Sequence, residues 1–459
     1  MRPRFSIPTH SEPTSQLSRN SRVRQCLPQV CRLYFNECIA ECILGLSAPV
    51  PSEEALNAAF RPNYRRLCHV NVDHLVDAAR HAFLLDPSLA PSEVRILNSG
   101  SFNKVFLIRF GSINVIARVP FDEPAARDPI RLRSQVATLY FLQSHRPTVP
   151  APRVIGASLD SANPSRAPYI LSEFLTGTSI GIREWYNDMS DADRSSLIDL
   201  LVDVWVKITA PVPFTAIGSL LRKPSMAPES RSHDIPLSDF QIIPMIPQRP
   251  DSSTNLVDPS IQNRTAPRTL LEHWRHELDT RRCEILTRYS DCDPATAVWR
   301  DPTGVFTLGQ VWQCFHTLQE LITLVAPLDP LADAPAMALV HTDFSFWKNI
   351  LFSEDRTRVE GVVDWDDTII VPRDLAALYP DELTHETRGG WRCDPGEVFA
   401  IPPGTPYEDE SLWDEAIEET KQRGLWREAV RKRDPQLADR KSTRLNSSHS
   451  GESRMPSSA

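Results

Sequence analysis

The chain has 459 residues, 24% of them charged and 41% hydrophobic, and a formal net charge of -9. Those values describe an ordinary globular protein of two or three domains or lobes with sizeable cores. They exclude the basic footprint of a nucleic-acid binder, and no apolar run reaches the ~18 residues that cross a bilayer.

Residues 1–47 are rich in arginine and serine and poor in acids until Glu37. They read as a disordered or mispredicted extension, with a mitochondrial transit peptide as the alternative. Cys26, Cys31, Cys38 and Cys42 fall in this stretch without a zinc spacing. With nine cysteines at irregular intervals, free thiols in a reducing, cytoplasmic setting are expected rather than a disulfide framework.

From residue 48 an N-terminal lobe is predicted to run to 175. "SEEALNAAF" and "VDHLVDAARHAFLL" have apolar residues at helical spacing. "VRIL", "KVFLIRF" and "NVIARVPF" alternate as three antiparallel strands, joined by turns at Asn98–Gly100 and Gly111–Asn114. "RLRSQVATLYFLQSH" returns to helical period, and "PRVIGAS" and "PYILSEFL" are strand-like.

A C-terminal lobe is expected over 176–438. "SSLIDLLVDVWVKITA" reads as a helix, and the proline- and serine-rich residues 210–267 as a long surface insertion. Helices are predicted in "LEHWRHELDTRRCEILTRY" and "VWQCFHTLQELITLVAPL", a strand in "VEGVVDW", and helical patches around "DLAAL" and "DESLWDEAIEETKQRGLWREAV". The last stretch, Asp439–Ala459, reads as a translated sequencing adapter: Asp439–His449 is what a common adapter spells in this frame. It is excluded from the fold, and the genuine C-terminus is expected to be missing.

Several short motifs carry chemistry. "ALVHTDFSFWKNILF" puts His341, Asp343 and Asn349 between two apolar strands. Fifteen residues after Asn349, "VVDWDD" ends an apolar strand on Asp364. "NSGSFNKVF" lies between the first two strands, Arg118 sits in "VIARV", and Glu173 and Leu175 lie in "PYILSEFLTGTSI". Taken singly, each is explained by a polar turn or a plain hairpin. Phosphoryl transfer, however, needs a cover over the phosphates, a cation, metal ligands and a base, and this set contains one of each.

In this order the motifs resemble the aminoglycoside phosphotransferase family, in the branch abundant in filamentous fungi, over roughly Pro51 to Tyr379. The resemblance implies an α+β, two-lobed protein-kinase-like fold: a small antiparallel-sheet N-lobe, a mainly helical C-lobe, and ATP between them. It implies that Asp343 accepts the proton of a small-molecule hydroxyl acceptor, that His341 braces the loop, and that Asn349 and Asp364 bind Mg²⁺. Arg118 would hold phosphates, Asn98, Gly100 and Ser101 would stand in the glycine-rich loop, and backbone groups near Glu173–Leu175 would meet the adenine. Asp374 would cap a helix, and Asp366 and Asp367 would be solvated or secondary.

The chain departs from the family pattern in two places. Gln135 stands where a glutamate usually pairs with the third-strand cation. Five residues, "FSFWK", separate Asp343 from Asn349 where four are usual, so that Lys348 takes the asparagine position and one residue must bulge. These departures keep open a second reading, a catalytically impaired protein that binds nucleotide or a partner without turnover. A metal-dependent hydrolase lacks a second ligand cluster. A protein kinase lacks the "HRD", "DFG" and "APE" segments.

Overall fold

The computed structural model describes residues 70–438, except 100–101, 123–125, 182, 224–234, 247–258, 289–292, 294, 296–297, 302–303, 326–335, 378, 381–382 and 384–409. The predictions for "SEEALNAAF", for 1–47 and for Asp439–Ala459 lie outside the described residues.

A five-stranded antiparallel sheet forms first, from β1 (Glu93–Ser99), β2 (Asn103–Phe110), β3 (Ile113–Pro120), β4 (Val154–Ser158) and β5 (Tyr169–Glu173), in the order β1-β2-β3-β5-β4. The period-2 alternation of these segments decides this outcome, because it gives the sheet an apolar face. Phe106, Ile108, Val115, Ala117 and Leu171 are buried on it beneath α1 (Val72–Ala82). Helix α2 (Pro129–His145) begins where the sequence signals it: Asp128 accepts from the amides of Ile130 (2.9 Å) and Arg131 (3.3 Å), and Pro129 takes the first turn.

The second half is mainly helical: α3 (Asp191–Ile208), α4 (Leu270–Arg288), α5 (Leu308–Val325) and α6 (Glu410–Arg433), with the antiparallel pair β9 (Val298–Asp301) and β10 (Gly304–Thr307) between α4 and α5. The architecture is α+β, as expected. Two features differ from the sequence reading. Residues 210–267 are not wholly a surface excursion, because β6 (Pro211–Val212), β7 (Gly218–Arg222) and β8 (Phe240–Ile243) join β11 (Met337–Val340) and β14 (Ile369–Pro372) in a second five-stranded sheet, β6-β11-β14-β7-β8. The cause is burial of Ile217, Leu220, Leu221, Phe240 and Ile243, whose apolar signal is diluted by the surrounding prolines and serines. "DLAAL" is not a helix in its described residues: the amides of Leu375 and Ala376 bond back to Pro372 O, and the turn ends there. Among the described residues, Asp374 therefore stands in a turn and not at the start of a helix.

The core of this half runs beneath β11. Phe346 packs on Trp185 with ring centres 4.3 Å apart, and Trp185 Nε1 donates to Gln422 Oε1 of α6 at 3.2 Å. Trp205 of α3 meets Trp426 of α6 edge-on. Arg433 pairs with Asp199 at 2.7 Å, and Arg373 pairs with Asp434. The last helix thus supports the loop that follows β11.

Between the two halves the chain is clamped. Thr178 N donates to Phe352 O (3.0 Å) and Phe352 N to Thr178 O (2.9 Å). The preceding Gly177 has φ +109°, and a Cβ there would come within 2.5 Å of Phe352 O. Gly177→Ala is therefore expected to cost about 1–3 kcal/mol of stability, seen as a lower urea midpoint. An unchanged midpoint would mean that this close approach does not set the path of the connector.

Candidate active site

Strand β11 delivers His341 to the end of the second sheet, and β12 (Ile350–Phe352) resumes after a turn. The extra residue is absorbed in that turn. Asn349 N donates to Ser345 O at 2.9 Å, and the Asn349 side chain is turned inward and 5% exposed. Its Nδ2 donates to Asp343 O (2.8 Å) and Asp343 Oδ2 (2.7 Å). Lys348 points outward, its Nζ 3.7 Å from Asp343 Oδ1. The longer spacing therefore does not separate Asp343 from Asn349.

Strand β13 (Val359–Val362) pairs with β12 and brings in the second motif. Val363 N donates to Asn349 O at 2.8 Å, and Val363 O lies 3.0 Å from His341 Nε2. His341 is buried, with the Trp365 ring 4.7 Å away. Burial depresses its pKa, against the pull of the Val363 carbonyl and of Asp364, Asp343 and Asp366. The ring is therefore neutral at pH 7, with the proton on Nε2 donated to Val363 O. That bond joins the end of β11 to the residue before Asp364.

Asp364 follows with φ +63°, a left-handed backbone that aspartate tolerates better than most residues. Its Oδ1 accepts from Arg118 Nη2 at 2.6 Å, across from β3. Arg118 also gives Nη1 to Asp366 Oδ1 and Nη2 to Asp366 Oδ2, both at 2.9 Å. Asn103, with its amide oxygen turned to the guanidinium, accepts from Arg118 Nε (3.2 Å) and Nη2 (2.7 Å). Burial works against the charge on Arg118, but Asp366 and then Asp364 outweigh it and raise its pKa. Asp367, also left-handed at φ +55°, bonds Arg131 Nη1 of α2 at 2.7 Å.

Arg131 is missed from the sequence, and Asp366 and Asp367 read there as solvated or secondary. The signal was present, two carboxylates directly after Trp365, but sequence does not say which arginines face them. Asp366 and Asp367 are ion-paired rather than simply solvated.

Other expected positions fall elsewhere. Gly100 and Ser101 lie outside the described residues; Asn98 is in β1, one residue from its end. Glu173 spends its N–H on Arg153 O (3.0 Å) and its carboxylate on Arg153 N (3.1 Å), so it is used inside the sheet. Leu175 packs on Gly361 of β13, where an added Cβ would approach Leu175 Cδ1 to 2.4 Å.

The donor set suits Mg²⁺. Among the described residues no cluster of three or more His, Cys, Asp or Glu suited to a metal occurs. Two hard oxygen donors, Asp364 (side chain 43% exposed) and the Asn349 amide, match a cation that keeps waters and takes its remaining ligands from phosphate. Also among the described residues, no helix is long and apolar enough to cross a membrane.

A subtelomeric hrmA-associated cluster protein of Aspergillus fumigatus is 27% identical over 321 residues, 64% of this chain and 61% of that protein. The chain thus spans about three fifths of the length of this curated relative. Altered inheritance of mitochondria protein 9 of Candida dubliniensis, a mitochondrial protein by name, is 28% identical over 131 residues, 27% of this chain and 20% of that one.

Among solved structures, aminoglycoside phosphotransferase APH(4)-Ia aligns over 82% of this chain and 89% of its own at 12% identity and a TM-score of 0.39. A putative aminoglycoside phosphotransferase of Ralstonia eutropha aligns over 83% and 96% at 13% identity and a TM-score of 0.40. Scores of this size carry no argument about the site. The family model described as the phosphotransferase enzyme family matches residues 93–392, more than half of the chain and every motif discussed above. The chain belongs to the phosphotransferase enzyme family.

Proposed function

We propose that the protein transfers the γ-phosphate of ATP to a hydroxyl of a small molecule, with Mg²⁺ at Asn349 and Asp364. One observation carries this reading: Asp343, Asn349, Val363 and His341 form one hydrogen-bonded unit, and Asp364 leads from it to Arg118. A base, two oxygen donors for a cation and a guanidinium thus meet at one place, which is what phosphoryl transfer asks of a protein.

Asp343 accepts the acceptor's proton on a carboxylate oxygen. Asn349 holds Oδ2 of that carboxylate through its NH₂, and its amide oxygen would be a ligand to the cation. His341, neutral, keeps Val363 and hence Asp364 in place. Arg118 holds phosphate oxygens, Asn98, Gly100 and Ser101 keep the role of phosphate cover, and the connector at Leu175 meets the adenine with Glu173 supporting it from within the sheet. Asn349 and Asp364 would hold Mg²⁺, which would supply positive charge against the charge that develops on the phosphates.

The departures support a second reading, nucleotide binding without turnover. Arg118 occupies the Asp364 carboxylate, and Lys348 stands beside Asp343. We place the protein in the cytoplasm on its irregular cysteine spacing; the name of the Candida relative is the reason to keep mitochondria as the alternative.

Calorimetric titration of ATP into the full chain tests the shared core of both readings. Binding is expected with Mg²⁺ and is expected to weaken at least about tenfold when EDTA removes it, a change of ~1.4 kcal/mol. No binding by a folded sample would overturn both.

A further inference from the structure

The two carboxylates on Arg118 are not equivalent. Asp366 takes both guanidinium arms, in the two-pronged geometry that fixes the plane as well as the position of an arginine. Asp364 takes one arm, already shared with Asp366. Exposure separates them further: the Asp366 side chain is 15% exposed and that of Asp364 43%. Asp366 therefore has its charge committed inward, while Asp364 faces solvent and keeps oxygen lone pairs for another cation.

The loop holding both is itself tied down. Asp367 bonds Arg131, whose side chain is 7% exposed, and Arg131 stands one helical turn before the buried Gln135 on the same face of α2. Helix α2 thus contributes a cation to this network through Arg131, and the carboxylates come from the 364–367 loop.

We propose that Asp366 is the positioning residue for Arg118, holding the guanidinium plane while Asp364 is given over to the metal, and that Arg131–Asp367 anchors the loop that carries it. The inference rests on the reading of Arg118 as a phosphate-binding group. It follows that loss of the Asp364 bond on metal binding leaves Arg118 oriented by two bonds from Asp366, the only remaining charged partner described for it, beside the neutral Asn103 amide oxygen. Arginine and not lysine is needed at 118, because an ammonium has no plane to fix.

The test is calorimetric titration of ATP with Mg²⁺ into the full chain as wild type, Asp366→Asn, Arg118→Gln and the double variant, with thermal unfolding of each. Asp366→Asn and Arg118→Gln are each expected to weaken ATP about tenfold, and the double variant to bind no more weakly than Arg118→Gln alone. Asp366→Glu, which keeps the charge, is expected to stay within about threefold of wild type. It serves as the readout should Asp366→Asn fail to unfold cooperatively.

Wild-type or tighter binding by Asp366→Asn would overturn the proposal, as would losses that add in the double variant. So would an Asp366→Glu variant as weak as Arg118→Gln. If wild type binds ATP and only these patterns fail, the phosphotransferase reading stands without this inference. If wild type does not bind, both fall together.

Discussion

Asp343→Asn is expected to reduce phosphate transfer by about 10²–10⁴-fold, the usual worth of a positioned general base, with the ATP dissociation constant changed less than about twofold. The substitution is nearly isosteric, and an amide oxygen still accepts from Asn349 Nδ2, now 2.7 Å from Asp343 Oδ2. The loop should therefore keep its shape while losing its proton acceptor. The measurement is ATP turnover with an acceptor found by screening, or with water in that role, beside a nucleotide titration of the same sample. Unchanged turnover would remove Asp343 from the chemistry. A wild type that binds ATP but never turns it over would favour the non-catalytic reading.

Asp364→Asn is expected to abolish the Mg²⁺-dependent part of ATP binding, a loss of at least about tenfold. Asparagine is the informative replacement because it tolerates left-handed backbone, and Asp364 sits at φ +63°. Alanine would mix backbone strain with loss of the ligand. Asparagine also keeps an oxygen for Arg118 Nη2, so the substitution removes charge at the metal with little else. If the variant retains the full Mg²⁺ effect, the cation is held elsewhere. The Asp343 and Asp364 variants should thus divide cleanly, one losing rate and the other losing metal-linked affinity.

What could be read in advance follows from the range of each signal. Strands β1, β2 and β3 were visible because alternation is local and their turns are short, and α2 was visible through the helical period of "RLRSQVATLYFLQSH". Asp343, Asn349 and Asp364 stood out because each interrupts or ends an apolar run, where a polar residue has to be accounted for. The reach of Asn349 was not legible, since whether a turn absorbs an extra residue depends on where Phe346 is anchored, and that is settled by Trp185. Arg131 with Asp367, at 236 residues' separation, left no local trace at all. β7 and β8 were hidden for a different reason: their few buried residues lie among prolines and serines, and only pairing with β14 and with each other reveals them as strands.

The clamp between Thr178 and Phe352 has a mechanical meaning. Glu173 is fixed in the first sheet by Val115 and Arg153, and Thr178 is fixed to β12. Only Phe174, Leu175, Thr176 and Gly177 lie between these fixed points, and Leu175 is itself seated on Gly361. Even fully extended, that span reaches about 17 Å. There is no slack to pay out, so any movement between the two halves has to be a tilt about a short pivot and not a swing on a tether. Phe352 lies two residues beyond Ile350, the neighbour of Asn349, so torque applied at the pivot would reach the turn that carries Asp343 and Asn349 along a single strand.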